Sequence, residues 1–192
     1  MVGRMFKFSR AALLVGLLAT ACAGQRAGLV DTAVMPQGTF AGTDVDRDAL
    51  YEASQALGLD APRPATIQDL ARGMADVDYI AGAYNTHARW IGIDGSAQEG
   101  MLIARREVRD SIGIPQATSS QAVVNALIAV SRADTAPAMQ VALANPVFTL
   151  GPQETEARLR NLPPLFSTPY AIARLNRAVM EPNGDSCSQR FC

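Results

Sequence analysis

The sequence predicts an all-α fold, a single globular bundle of about seven helices. Three observations lead to this prediction. Apolar or small residues recur in alternating steps of three and four over residues 67–91, which is the spacing of one helical face. Two of the predicted helices open on a capping residue followed three positions later by an acid. No stretch alternates apolar and polar residues as a half-buried strand does. The succession of helices and turns would also fit a short helical solenoid, which is the alternative to a bundle.

The first predicted helix spans residues 48–57 and ends at a glycine, which is a common helix stop. The second begins after Thr66, where Asp69 completes a capping box. Gly73 and Gly82 interrupt this second helix, and glycine there allows either the close approach of a neighbour or a kink. The helix carries the strongest apolar stripe of the chain, formed by Ile67, Leu70, Met74, Val77, Ala81, Tyr84, Ala88 and Ile91.

The third and fourth helices are indicated by their first residues. Ser96 and Glu99 form the second capping box, which predicts a helix that stops near Gly113. Ser119 or Ser120 caps the next helix, whose interior is rich in valine and leucine.

Three further helices are predicted toward the C-terminus. A short fifth helix lies between Pro137 and Pro146, and a polar sixth helix spans residues 152–161. The seventh begins at Thr168, a cap residue followed by proline, and runs to about Met180. The sixth carries two acid-first pairs at the favourable spacing of four, Glu154–Arg158 and Glu156–Arg160.

The N-terminus has the composition of an export signal. Arg4, Lys7 and Arg10 precede an apolar run over residues 11–21, which is far shorter than the roughly 20 residues that a membrane-spanning helix needs. Small residues close the run, and Cys22 follows them directly. This segment resembles the lipobox of bacterial lipoprotein precursors. An ordinary signal peptide cut nearby is the alternative.

The resemblance implies removal of residues 1–21 and attachment of a diacylglyceryl group to the sulfur of Cys22. Two or three acyl chains hold a protein firmly on a membrane, whereas one chain binds only marginally. The partner implied at this end is therefore the membrane itself. Ala23 stands where lipoproteins retained in the inner membrane tend to carry aspartate, so the outer membrane is favoured for a Gram-negative host.

Four segments follow from these observations. Residues 1–21 are the signal peptide, and residues 22–45 are a lipidated cysteine with a glycine-containing tether, part of which is apolar enough to pack as an extended arm. Residues 46–182 form the all-α domain, and residues 183–192 form a C-terminal tail.

The tail contains Cys187 and Cys192. In an oxidising envelope such a pair is expected to form a disulfide that limits fraying of the C-terminal tail. A Cys-x4-Cys metal half-site is the alternative, but the sequence has no second cysteine or histidine pair to complete it. No metal and no cofactor are therefore predicted.

The charge of the exported chain argues against nucleic acid as a partner. Removing the three basic residues of the signal from the 17 in the chain leaves 14 arginines against 18 acidic residues, a net charge of −4. Nucleic-acid binders concentrate positive charge, whereas this chain is acidic and its arginines are scattered.

The most site-like cluster is a possible binding site formed by Tyr84, Asn85, His87, Arg89 and Trp90. His87 is the only histidine and could act as a general base if an acid and a cleft lie beside it. The simpler interpretation is a hydrogen-bonded or solvated side chain near a helix end.

Glu107 is the second candidate for catalysis, because glycan cleavage needs a pair of carboxylates. Glu99 is explained by its capping box, and Glu154 and Glu156 by their pairs and the helix dipole. The simplest interpretation of Glu107 is a solvated charged face with an Arg106–Asp110 pair, and the arginines of that face could alternatively contact an anionic partner. The face comprises Arg105, Arg106, Glu107, Arg109 and Asp110.

Three functions are compatible with these features. The first is a non-catalytic envelope lipoprotein whose helical domain binds another envelope protein or has a structural role. The second is a cell-wall or glycan-modifying enzyme that uses His87 or Glu107. The third is a carrier or sensor of an apolar small molecule held between helices.

Overall fold

The computed structural model describes residues 30–61 and 65–180. These residues form an all-α fold without strands, as predicted, and none of their helices is long and apolar enough to cross a membrane. Cys22, Cys187, Cys192 and the rest of the signal and tail lie outside the described residues. The helices are α1 (Val45–Leu57), α2 (Ile67–Thr86), α3 (Gly95–Ser111), α4 (Ser120–Ser131), α5 (Ala136–Leu143), α6 (Pro152–Arg160) and α7 (Thr168–Met180), with a 3-10 turn over Ala88–Trp90.

Helix α2 is the centre of the bundle. It packs on α1, α3, α4 and α6, while α7 packs on α3 and α1, and α5 joins α4 to α6. Every residue from Gly73 to Tyr84 is buried, so this part of the helix is enclosed on all sides. The predicted stripe is wrong at its end. The helix stops at Thr86, Ala88 lies in the 3-10 turn, and Ile91 is 84% exposed.

The two glycines of α2 are sites of close approach. A Cβ atom on Gly73 would lie 2.4 Å from the Cβ of Ala56, which is in α1. A Cβ atom on Gly82 would lie 2.8 Å from the carbonyl oxygen of Asp31. Glycine therefore lets α1 and the segment before it press directly against the central helix.

The helix-start predictions had different outcomes. The Thr66–Asp69 capping box is confirmed, with the Asp69 amide 3.1 Å from Thr66 Oγ1 and the Thr66 amide 2.9 Å from Asp69 Oδ2. The Ser96–Glu99 box is wrong. Asp94 caps α3 instead and accepts a 2.8 Å hydrogen bond from the Ser96 amide. Asp94, two positions before Ser96, therefore has the capping role that the sequence pattern assigned to Ser96.

The segment over residues 30–44, called the arm below, runs without helix along α4. Ala33 and Met35 are buried in the core. The side-chain amide of Gln121 donates to the carbonyl of Val34 at 3.0 Å and accepts from its amide at 2.8 Å, as a neighbouring strand would. Arg132 holds the far end through the Gln37 carbonyl at 3.2 Å. The arm is an integral part of the packed domain.

Candidate functional site

The predicted cluster occupies the end of α2 and the turn that follows it. The structure brings Tyr84, His87, Arg89 and Trp90 together at the start of α1. The fifth member, Asn85, points elsewhere and donates to the carbonyls of Ala81 and Gln98 at 3.0 and 3.2 Å. Four of the five candidate residues therefore share one site.

Asp46 is the centre of this site. It lies in the first turn of α1 and is 4% exposed. Its Oδ1 accepts a 2.6 Å hydrogen bond from the Tyr79 hydroxyl, and its Oδ2 lies 2.7 Å from Trp90 Nε1 and 3.0 Å from His87 Nδ1. Burial raises the pKa of Asp46, but these hydrogen bonds outweigh it and hold the pKa below its usual value. An ionised carboxylate only accepts, so Nδ1 is the protonated nitrogen of His87.

Aromatic and cationic groups cover the carboxylate. The rings of Tyr84 and Trp90 stack with centroids 4.4 Å apart, and the Arg89 guanidinium lies 4.5 Å from the Trp90 ring. Arg89 also donates two hydrogen bonds to Asp44, of 2.9 and 2.7 Å. These bonds lower the pKa of Asp44, which therefore stays ionised beside the guanidinium.

The geometry gives His87 one property of a general base. Its Nδ1 is oriented by a buried carboxylate, which leaves Nε2 for an outside group, and the side chain is 41% exposed. The depression around it, of about 460 Å³, is open to solvent. The residues that line it are Thr43, Val45, Asp46, His87, Ala88 and Arg89. The site therefore orients an imidazole at the edge of an open surface depression.

Glu107, the second candidate for catalysis, lies beside the start of α7. Its two carboxylate oxygens accept hydrogen bonds from the backbone amides of Phe166, Ser167 and Thr168, at distances of 2.6 to 3.0 Å, and from the Thr168 hydroxyl. Burial raises the pKa of Glu107, but these donors lower it below its usual value. The side chain fastens the start of α7 to α3.

The predicted charged face is wrong for two of its arginines. Arg109 is 3% exposed and donates to both oxygens of Asp78, at 2.6 and 2.9 Å. Its remaining N–H groups reach Ser120 Oγ and the carbonyls of two loop residues, Gln116 and Thr118. Arg105 is also buried, and its Nη2 donates to the carbonyls of Asp31 and Asp78.

The sequence contained a signal for this burial. Arg105 falls in the helical progression Met101, Arg105, Val108, Ile112, whose other members are apolar and fully buried. Asp110, expected to pair with Arg106, instead accepts a 2.7 Å hydrogen bond from Gln116. In the described residues, these arginines bind groups of the same chain and do not form a patch for an anionic partner.

Comparison of the chain with protein-family models, with curated proteins and with solved structures found no match.

A groove of about 570 Å³ lies between the end of α1, the start of α2 and the loop from α6 to α7. This volume is within the range of small-molecule pockets. Residues 62–64, which connect two of the lining residues, are outside the described part of the chain. The lining is mainly aliphatic and includes Leu57, Leu70, Leu159, Leu162, Leu165 and three prolines.

No group of three or more histidine, cysteine, aspartate or glutamate side chains within residues 30–61 and 65–180 could hold a metal ion.

Proposed function

We propose that this protein is a lipid-anchored protein of the cell envelope, and that its helical domain acts by binding or scaffolding and not by catalysis. The lipobox-like segment that ends at Cys22 supports the anchor. The observation that supports the role of the domain is that its candidate catalytic groups are engaged in holding helices together.

Two carboxylates illustrate this engagement. Asp46 accepts from Tyr79, His87 and Trp90, and thereby joins the start of α1 to the end of α2. Glu107 uses both oxygens to hold the first residues of α7. A catalytic carboxylate needs an oxygen facing a substrate, because the proton transfer requires contact at hydrogen-bond distance.

The proposed partners are the membrane, through the lipid on Cys22, and an envelope protein that binds the exposed surface of the domain. Ala23 favours the outer membrane if the host is Gram-negative.

Intact-mass analysis of the native protein tests the anchor. We expect a chain that starts at Cys22 and carries the added mass of the acyl groups. The Cys22→Ala variant should leave the membrane fraction or accumulate as an uncut precursor, while Cys187→Ser, the matched control, should stay bound. A Cys22→Ala protein that is cut and membrane-bound at the wild-type level would contradict the proposal.

Replacement of His87 by alanine tests the non-catalytic role. We expect the variant to keep the cellular role of the protein, because the imidazole is hydrogen-bonded to Asp46 and the depression beside it is open to solvent. Affinity capture from solubilised envelopes should return a protein partner with wild type and variant alike. Loss of the cellular role with an intact fold would support the alternative of a cell-wall or glycan-modifying enzyme that uses His87 with Asp46.

The second candidate function is a carrier of an apolar small molecule, and the aliphatic groove supports it. Native mass spectrometry of the purified protein should then reveal a bound apolar compound. Leu162→Arg, in the groove, should abolish this binding, whereas Val141→Arg, at a 76% exposed position on α5, should not. Equal binding by the two variants would exclude the groove.

A further inference from the structure

One face of the domain carries no charged side chain over two long stretches of sequence. Residues 32–43 of the arm and residues 111–131, which include all of α4, contain no Asp, Glu, Lys, Arg or His. The two stretches lie side by side through the double hydrogen bond between Gln121 and Val34. The exposed residues of this arm–α4 face include Thr32, Val34, Gln37, Gln116, Ala117, Ser119, Asn125 and Ala129.

Charged groups of other elements border this face. Arg72 of α2 donates to the Thr39 carbonyl of the arm, and Asp48 and Glu52 of α1 line a depression beside the end of the arm. Asp31 precedes the face and accepts a hydrogen bond from the Ser120 amide, and Arg132 closes it beyond the last turn of α4. Asp110 lies beside it and binds Gln116. By contrast, α1, α3, α6 and α7 all expose arginines or acids. Residues 135–153, which include α5, are also without charged side chains, so the arm–α4 face is distinguished from them by its connection to Cys22.

The arm also fixes where the chain leaves the domain. Its first described residues are held at the start of α4, because Asp31 binds the Ser120 amide through its carboxylate and Arg105 through its carbonyl. Val30 follows Cys22 by eight positions, which even fully extended span no more than about 28 Å. A domain of this length is on the order of 40 Å across. The arm–α4 face is therefore the surface nearest to a lipid on Cys22.

Electrostatics favours the same orientation. The exported chain has a net charge of −4, and anionic headgroups repel the carboxylates on its surface. A face without carboxylates avoids this repulsion, and the Val34 side chain, 74% exposed, adds apolar surface there. We propose that the arm–α4 face lies against the phospholipid headgroups of the membrane that holds Cys22. This inference depends on the proposed lipid anchor.

Site-specific photo-crosslinking of the full-length, lipidated protein in its native envelope tests the orientation. A benzophenone amino acid replaces Asn125 on the arm–α4 face, or Tyr170 on α7 as the matched control. Both positions are exposed, and the two helices pack on different neighbours among the described elements. We expect a phospholipid adduct from the probe at position 125 and no phospholipid adduct from the probe at position 170.

Two results would overturn the inference. One is a lipid adduct of equal yield at both positions, and the other is a protein adduct in place of the lipid at position 125. Ala129, one turn further along α4, provides a second probe if the Asn125 replacement reduces thermal stability. Intact mass is measured on the same samples. A chain without acyl groups overturns the anchor and the inference together, whereas an acylated chain without lipid adducts at positions 125 and 129 overturns the orientation alone.

Discussion

Asp46, in the first turn of α1, accepts a 2.7 Å hydrogen bond from the indole nitrogen of Trp90, which lies 44 residues later in the chain. This bond connects the start of one helix to the turn that ends the next. Trp90 is the only tryptophan and stacks on Tyr84, so its fluorescence reports directly on this junction.

Replacing Asp46 by alanine should lower the free energy of unfolding by about 2–4 kcal/mol, because the buried donors of Tyr79 and Trp90 would lose their acceptor. Urea titration followed by Trp90 fluorescence measures the change. Asp134→Ala, which removes an exposed carboxylate, should change the free energy by no more than about 0.5 kcal/mol. Similar effects of the two substitutions would refute the structural role of Asp46.

Replacing Glu107 by glutamine should destabilise the protein by about 0.5–2 kcal/mol at neutral pH, the usual cost of losing a helix cap. The pKa of Glu107 is lower in the folded state than its usual value of 4.5, so its contribution is present above that value and is lost as the pH falls through the folded pKa. The wild-type and variant stabilities should therefore converge as the pH falls from the usual value of 4.5 through the lower folded pKa.

Denaturant titrations over a range of pH measure this convergence. Glu99→Gln is the matched control, since Glu99 is an exposed glutamate on the same helix. A difference between wild type and Glu107→Gln that stays constant down to the acid limit would contradict the capping role.

Replacing Arg109 by alanine should cost about 3–5 kcal/mol, because it leaves the Asp78 carboxylate buried without its main partner. Lysine should not restore the stability, since a single ammonium cannot reproduce the two parallel bonds to Asp78 and the contacts to the loop. Arg106→Ala, at an exposed position of the same helix, serves as the control. The melting temperatures of the three variants are compared with that of the wild type. Equal melting temperatures for the Arg109→Ala and Arg106→Ala variants would count against a buried ion pair.

Replacing Gly73 by alanine should destabilise the domain by about 1–3 kcal/mol, because the new methyl group would collide with the Cβ of Ala56. The matched substitution is Gly100→Ala in α3, where the new Cβ would lie 3.5 Å from Ala171 in ordinary contact. That variant should be stabilised by up to about 1 kcal/mol through its higher helix propensity. If Gly73→Ala were also stabilising, α1 and α2 could not pack as closely as described.

The helices were predictable where their signals are local. Thr66 and Asp69 lie three positions apart and make the same capping box in the structure as in the sequence pattern. Asp94 was missed because Asp and Ser are both common helix caps, and the sequence pattern alone does not rank two of them that lie two positions apart. The predicted apolar stripe extended beyond Thr86 because the spacing of apolar residues continues after the point where the helix ends, at His87.

The site was only half predictable. Tyr84, His87, Arg89 and Trp90 are close in sequence and could be grouped, but the carboxylate that organises them comes from another helix. Nothing in one sequence links Asp46 to residues more than 40 positions away. The same holds for Arg109 and Asp78, whose pairing depends on how α2 and α3 pack.

The arm has a practical consequence for anyone preparing a soluble form of this domain. A truncated chain that starts at the first helix, at residue 45, would strip Ala33 and Met35 from the core and deprive the Ser120 amide and Arg105 of bonds to Asp31. Such a fragment would expose apolar surface along two helices and would be prone to aggregate. Expression should begin upstream of Val30, so that purified material keeps the segment that closes its own core.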